Sequence, residues 1–134
     1  ILTPALQRQR MMDSSPDMIK ASLAKGNVGE ITDISGDIVW SDTKQAGYMR
    51  LRGLPMNDKS KRQYQLWIFD ETQSTKTPID GGVFNVDENG EVVIPVNAKL
   101  KAKKPYQFAV TIEKPGGVVV SDRKYIAALA KVET

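Results

Sequence analysis

The residues best suited to chemistry in this chain are carboxylates. Glu30, Asp33, Asp37 and Asp42 fall in one short stretch. Two such groups facing each other across a cleft, about 5–10 Å apart, do the acid–base work of a glycosidase. Nothing in their spacing makes them converge, so they read as surface acids in turns. Asn85-x-Asp87-x-Asn89-Gly90 imitates the first half of a calcium loop, but the twelfth position, which requires a bidentate glutamate, is Val96. That segment reads as a hairpin turn. Ser14, Ser41 and Ser121 are possible nucleophiles only beside a base, and the chain has no histidine and no lysine at a motif spacing to serve as one. Gly81-Gly82 and Gly116-Gly117 lack the lysine and hydroxyl of a phosphate loop. They read as tight turns, or as places where a strand passes close to a large ring such as Trp67.

Composition narrows the choice further. The absence of histidine removes the usual general base, metal ligand and pH switch. The absence of cysteine removes disulfides, thiolate catalysis and thiolate zinc sites. The expectation is therefore no catalytic residue, no metal and no cofactor. With 19 basic and 16 acidic residues the net charge is +3, a weak bias. Lys59, Lys61 and Arg62 lie in one expected loop, and Lys99, Lys101, Lys103 and Lys104 in another. They read as solvated loops and not as the organised basic stripe of a nucleic-acid binder. No run approaches the ~20 apolar residues that cross a bilayer, and no signal peptide is visible. The chain opens at Ile1 without a methionine, which is read as a processed product or a piece cut from a longer protein whose other part could hold the membrane anchor, the export signal or a second domain.

The elements that would position any site are mostly strands. Residues 1–13 read as a polar linker or frayed helical stem. Ser14-Ser15-Pro16-Asp17 has the form of a helix start, and Met18 to Leu23 then read as a short amphipathic helix ended by Lys25-Gly26. From Asn27 the period changes to two. Val28 to Trp40 read as one or two short strands with Gly36-Asp37 as a turn or bulge. Gly47 to Arg52 alternates, with Met49 and Leu51 facing one way, and Gly53-Leu54-Pro55 closes it. Tyr64 to Asp70 is apolar on both faces, the mark of a central strand. Gly81 to Val86 and Glu91 to Val96 read as a hairpin joined at Asp87-Glu88-Asn89-Gly90, with Pro95 marking an edge or bulge. Pro105 to Glu113 is the most regular strand, with Tyr106, Phe108, Val110 and Ile112 on one face. Tyr125 to Val132 reads as a closing strand, although its alanines favour helix.

About seven short strands between turn signals make an all-β domain: an antiparallel β-sandwich or partly closed barrel with a short N-terminal helix. The division is residues 1–26, stem and helix, and 27–134, β domain. The aromatic residues Tyr64, Trp67, Phe84 and Phe108 sit at strand spacing and read as core. Trp40 and Tyr48 are the ones expected to be exposed and able to bind a ligand.

An ordered set of segments carries a family resemblance. It consists of Gly53-Leu54-Pro55, Tyr64-Gln65-Leu66-Trp67-Ile68, Gly82-Val83-Phe84, Asp87-x-x-Gly90 and Phe108-Ala109-Val110-Thr111-Ile112-Glu113-Lys114-Pro115-Gly116-Gly117. Over about residues 36–129 the chain resembles the C-terminal domain of the anti-sigma-K factor family. Where that family has Pro-Thr-Gly after the double glycine, this chain has Val118 to Asp122. The resemblance implies a single-pass bacterial membrane protein. An N-terminal cytoplasmic domain, absent here, would bind an extracytoplasmic-function sigma factor, and this β domain would lie outside the inner membrane. Regulated proteolysis would release the sigma factor. The resemblance implies no catalytic residue, so the residues that matter are core and motif positions: Leu54, Pro55, Tyr64, Leu66, Trp67, Gly82, Phe84, Gly90, Phe108, Val110, Thr111, Glu113, Pro115, Gly116 and Gly117. The alternative is a carbohydrate- or peptide-binding β-sandwich of an exported protein, which an exposed Trp/Tyr strip beside polar groups would favour. An enzyme would require a cleft with two converging acids.

Overall fold

The computed structural model describes residues 2–88 and 90–133. Helix α1, Pro4–Ser14, is followed by eight strands: β1 Met18–Lys25, β2 Ser35–Ser41, β3 Ala46–Arg52, β4 Gln63–Asp70, β5 Ile79–Phe84, β6 Glu91–Pro95, β7 Pro105–Glu113 and β8 Ile126–Val132. They form one antiparallel sheet in the order β5-β4-β7-β8-β1-β2-β3-β6. The sheet curls into a half-barrel. Its edges meet just past β6, where the amides of Asn97 and Lys99 donate to the carbonyls of Gly81 and Asp80 on β5.

Alternation along each strand sends one set of side chains into the curl. Ala21 and Leu23 of β1, Ile38 and Trp40 of β2, Met49 and Leu51 of β3, Leu66 and Ile68 of β4, and Phe108 and Val110 of β7 pack together there. Met11, Val39, Trp67 and Ala109 are equally buried but lie outside that cluster. They belong to the convex side, which is covered in two places. Helix α1 lies against β3 and β6. The loop 114–125 folds back over β4 and β7, and is called the strap below.

The helix stands earlier in the chain than the sequence reading placed it. Thr3 caps α1 by accepting from the amide of Leu6, and Pro4 occupies its first turn. Residues 18–25, expected as helix, are strand β1, hydrogen-bonded to β2 on one side and β8 on the other. The Ser14-Ser15-Pro16-Asp17 signal serves a turn instead: Asp17 accepts from the amide and hydroxyl of Thr43 and from the hydroxyl of Ser41.

The Asp87–Gly90 turn exists, closed by the Gly90 amide on the Asp87 carbonyl. It does not join a hairpin. Strand β5 pairs with β4 and β6 pairs with β3, so this turn carries the chain between opposite edges of the sheet. Asn89 lies outside the described residues. The expected bulge at Gly36-Asp37 is continuous strand in register with β3. The edge position of Pro95 and the strand over 126–132 are as expected.

Candidate functional site

The convex side of β4 and β7 concentrates the polar groups that the core excludes. Gln63, Gln65 and Trp67 alternate outward along β4. The Gln65 carboxamide is 1 % exposed; its Nε2 donates to the Val118 carbonyl at 3.0 Å and its Oε1 accepts from the Val118 amide at 2.9 Å. Gln63 Oε1 accepts from the Gly116 amide at 2.8 Å. Two glutamines on a strand therefore act as a ladder for a loop that has no strand of its own. Gly117 makes the close approach possible. Its φ is +76°, and a Cβ there would lie 2.6 Å from Val83 Cγ2 and 2.7 Å from Gln65 Oε1.

Trp67 is fully buried under the strap. Its indole Nε1 donates to Thr111 Oγ1 at 2.8 Å, Thr111 Oγ1 donates to Glu113 Oε2 at 2.6 Å, and Ser121 Oγ donates to the same oxygen at 2.5 Å. This relay ties β4 to β7 and β7 to the returning half of the strap. Arg123 finishes the closure. Its guanidinium donates to the Thr75 carbonyl and lies 5.5 Å from the centre of the Phe69 ring.

Tyr64, on the concave face of β4 between Gln63 and Gln65, gathers three further motif residues. The Tyr64 hydroxyl donates to the Pro55 carbonyl at 2.8 Å, and its ring stacks on Phe84 at 5.7 Å between centroids. Leu54 is buried beside them in the same core cluster. Burial pushes the Tyr64 hydroxyl above its ordinary pKa, which keeps it the donor this bond requires.

Several expected site residues take other roles. Trp40 is not exposed: it lies inside the curl with no accessible surface, its Nε1 bonded to Asp42. Its position opposite Gly47 in the ladder places the indole against backbone that has no side chain to displace it. Tyr48 is half-buried and lines a groove of about 210 Å³ with Gln7 and Met11 of α1. The residue beneath Gly81 is Leu66 and not Trp67: alternation puts Trp67 on the convex side, and the register shift between Leu66 and Trp67 leaves Gly81 as the extra residue of β5 opposite them.

Chemistry is scarce elsewhere. Asp37, expected at the surface, binds Arg8 at 2.6 Å and Lys20 at 3.8 Å, and so fastens α1 to the sheet. Arg8 Nε is buried there without a partner. Asp42 is occupied by Trp40, and Ser41 donates to Asp17. The Thr43 amide and the Ser41 hydroxyl hold the Asp17 carboxyl below its ordinary pKa. Burial raises that of Asp70, but bonds from Thr72 and from the amides of Lys103 and Lys104 outweigh it and leave the group lowered. Hydrogen bonding and charge from Arg52 and Arg50 lower Glu91. Each of these carboxylates is committed to holding a loop or strand. Among the described residues no group of three or more acidic side chains is placed to hold a metal ion.

The sequence reading did not single out Gln63, Arg8 or Asp70. A signal for the first was available: β4 reads apolar on both faces, yet its outward set begins with two glutamines. Buried carboxamides on a covered face must find partners, and a loop backbone is the simplest supply.

The chain was compared with known proteins. No curated protein and no solved structure matches it significantly. The family described as "Anti-sigma-K factor rskA, C-terminal" matches residues 2–121. That span takes in α1, the first seven strands and most of the strap, so the chain belongs to the family of the anti-sigma-K factor C-terminal domain.

Proposed function

We propose that this chain is the extracytoplasmic regulatory domain of a membrane-anchored anti-sigma factor, and that it acts by folding and binding without catalysis. One observation carries the reading: the family's motif residues make each other's contacts. Gln65 holds the backbone beside Gly117, Trp67 is bonded to Thr111, Thr111 to Glu113, and Tyr64 to Pro55. A motif that preserves an enzyme leaves reactive groups facing a cleft. This one is consumed in closing a sheet. The lack of histidine and cysteine supports the same reading.

The device this suggests lies in α1. The helix is the membrane-proximal stem, and the sheet from residue 18 is the body; the division proposed here is thus nearer residue 17 than 26. Among the helix's described side chains only Arg8 and Met11 are buried. A helix of 11 residues has little stability of its own, so its attachment rests on the Arg8–Asp37 pair, the buried Met11 and a bond from Lys44 Nζ to Ser14 Oγ. Undocking would expose the stem to envelope proteases, whose cutting would release the sigma factor held by the cytoplasmic part.

The test uses the full-length protein in cells with an extracytoplasmic-function sigma factor and a promoter reporter. The intact protein is expected to co-purify with the sigma factor and keep the reporter low. Asp37→Asn is expected to speed cutting of the stem and raise reporter output. No sigma-factor association refutes the anti-sigma assignment. Association with unchanged cutting in Asp37→Asn refutes the latch.

A further inference from the structure

Loops from three parts of the chain meet beside the β5 edge. Residues 71–78 join β4 to β5, residues 97–104 lead into β7, and residues 114–120 are the outward half of the strap. They share a groove of about 540 Å³, with Pro78 and Ile79 on one side, Leu100 on the second and Val118 to Val120 on the third. The groove lip is unusually apolar for a loop surface. Val119 is 91 % exposed, Leu100 60 % and Val120 56 %. The relay beneath, through Gln65 and Ser121, fixes the strap on both sides of this crest, so the valines are held outward by bonded backbone.

The charge around the crest is mostly positive, although Asp80 lines the groove and Asp122 is exposed just past Val120. These three loops contain Lys76, Lys99, Lys101, Lys103, Lys104 and Lys114, against the single acid Glu71. All six lysines are exposed, and the ion pair formed here is Lys104 with Glu71 at 3.9 Å. Exposed aliphatic side chains flanked by lysines, of which Lys99 lines the groove itself, match a surface that is negatively charged outside and hydrocarbon within. A soluble polyanion has no use for the valines, and a neutral apolar partner has none for the lysines.

We propose that this lip docks on an anionic phospholipid surface, with Leu100, Val119 and Val120 entering the headgroup layer and the lysines lying over lipid phosphates. Such contact would be weak and reversible, since each lysine near an anionic bilayer contributes about a fivefold gain in partitioning and salt screens it. It would hold the domain in one orientation on a membrane. The inference rests on the loops alone and stands apart from the anti-sigma reading.

The test is co-sedimentation of the 134-residue chain with vesicles of phosphatidylcholine, with and without phosphatidylglycerol. Binding is expected only with phosphatidylglycerol, falling as salt is raised. Lys99→Gln with Lys101→Gln should weaken it by about 25-fold, two fivefold losses. Leu100→Ser with Val119→Ser should weaken it by a similar factor with charge unchanged. Lys59→Gln with Lys61→Gln, the same charge loss in a different loop, should leave most binding in place. Thermal melts of each variant establish that the fold is kept. Absence of binding to anionic vesicles overturns the proposal. So does equal loss in the Lys59/Lys61 control, which would make net charge the cause. Full retention in Leu100→Ser with Val119→Ser also overturns it, because an anion-binding site without insertion would then account for the result, as for an acidic protein partner.

Discussion

Thr111→Val isolates the relay that closes the strap. Valine keeps the shape of threonine and suits a strand, so the change removes one hydroxyl from a fully buried position. Two bonds go with it. Trp67 Nε1 loses its acceptor at 2.8 Å, and Glu113 Oε2 loses a donor at 2.6 Å. The two losses are unequal. Glu113 is only half-buried and keeps Ser121 at 2.5 Å, so water can replace what it lost. Trp67 has no accessible surface, and its N–H is left without a partner, which costs about 1–3 kcal/mol. A destabilisation of about 2 kcal/mol is expected, or roughly 5–10 °C in melting temperature for a domain of this size.

Trp67→Phe supplies the second edge of a double-mutant cycle. It removes the donor and leaves a small void, whereas Thr111 Oγ1 still donates to Glu113. In the double variant no N–H is stranded, so its loss should be smaller than the sum of the single losses by about 1 kcal/mol. Urea unfolding followed by circular dichroism measures this without relying on indole fluorescence, which one variant alters. Additivity within about 0.3 kcal/mol, or a Thr111→Val protein as stable as the parent, would refute the reasoning. Either result would mean that water reaches the indole and that the strap is not sealed over it.

Two further outcomes follow from neighbouring positions. Gly116 and Gly117 both have positive φ, +85° and +76°, but a Cβ at Gly116 meets nothing within 4 Å while one at Gly117 meets Val83 and Gln65. Alanine at Gly116 should cost about 1–2 kcal/mol, the left-handed penalty alone; alanine at Gly117 should cost measurably more in the same urea assay, and equal losses would contradict the close approach. Asp70, whose folded pKa is depressed, stabilises the protein fully above its ordinary value of 3.8 and loses that contribution as pH falls through the lower folded value. Melting temperature measured from neutral to strongly acidic pH should therefore fall more steeply for the parent than for Asp70→Asn, with the gap between them closing in acid; a constant gap would show that the carboxylate is not engaged by the Lys103 and Lys104 amides.

How much of this was legible in the residues depends on where each interaction lies. Strands β4 and β7 announce themselves because their period-two pattern and their burial coincide. Strand β1 does not. Met18-Ile-Lys-Ala-Ser-Leu-Ala-Lys25 fits a helix by propensity, and only its position between β2 and β8 makes Ile19, Ala21 and Leu23 an inward set. Helix α1 has the reverse difficulty. Its sequence is a good helix with little apolar periodicity, since its burial consists of Met11 and an arginine paired across to β2. The Asp87–Gly90 turn was readable as a turn, but a turn specifies a change of direction and not the strand that receives the chain.

The strap was the least legible part, although its residues were the most conspicuous. The resemblance marks Gln65 and Trp67 together with Thr111, Glu113, Gly116 and Gly117, residues about fifty positions apart, without indicating why they occur together. The bonds supply the reason: Trp67 needs Thr111, and Gln65 needs the Val118 backbone that the close approach at Gly117 brings within reach, to leave no polar atom stranded on a covered face. It follows that the shared motif secures the underside of the strap, and that the crest above it is free to differ. Val118 to Asp122, where this chain departs from the pattern that the resemblance implies, includes that crest. Its outward side carries Val119 and Val120. Bonded beneath and exposed above, these valines can be exchanged for other side chains without touching the pairs that close the sheet.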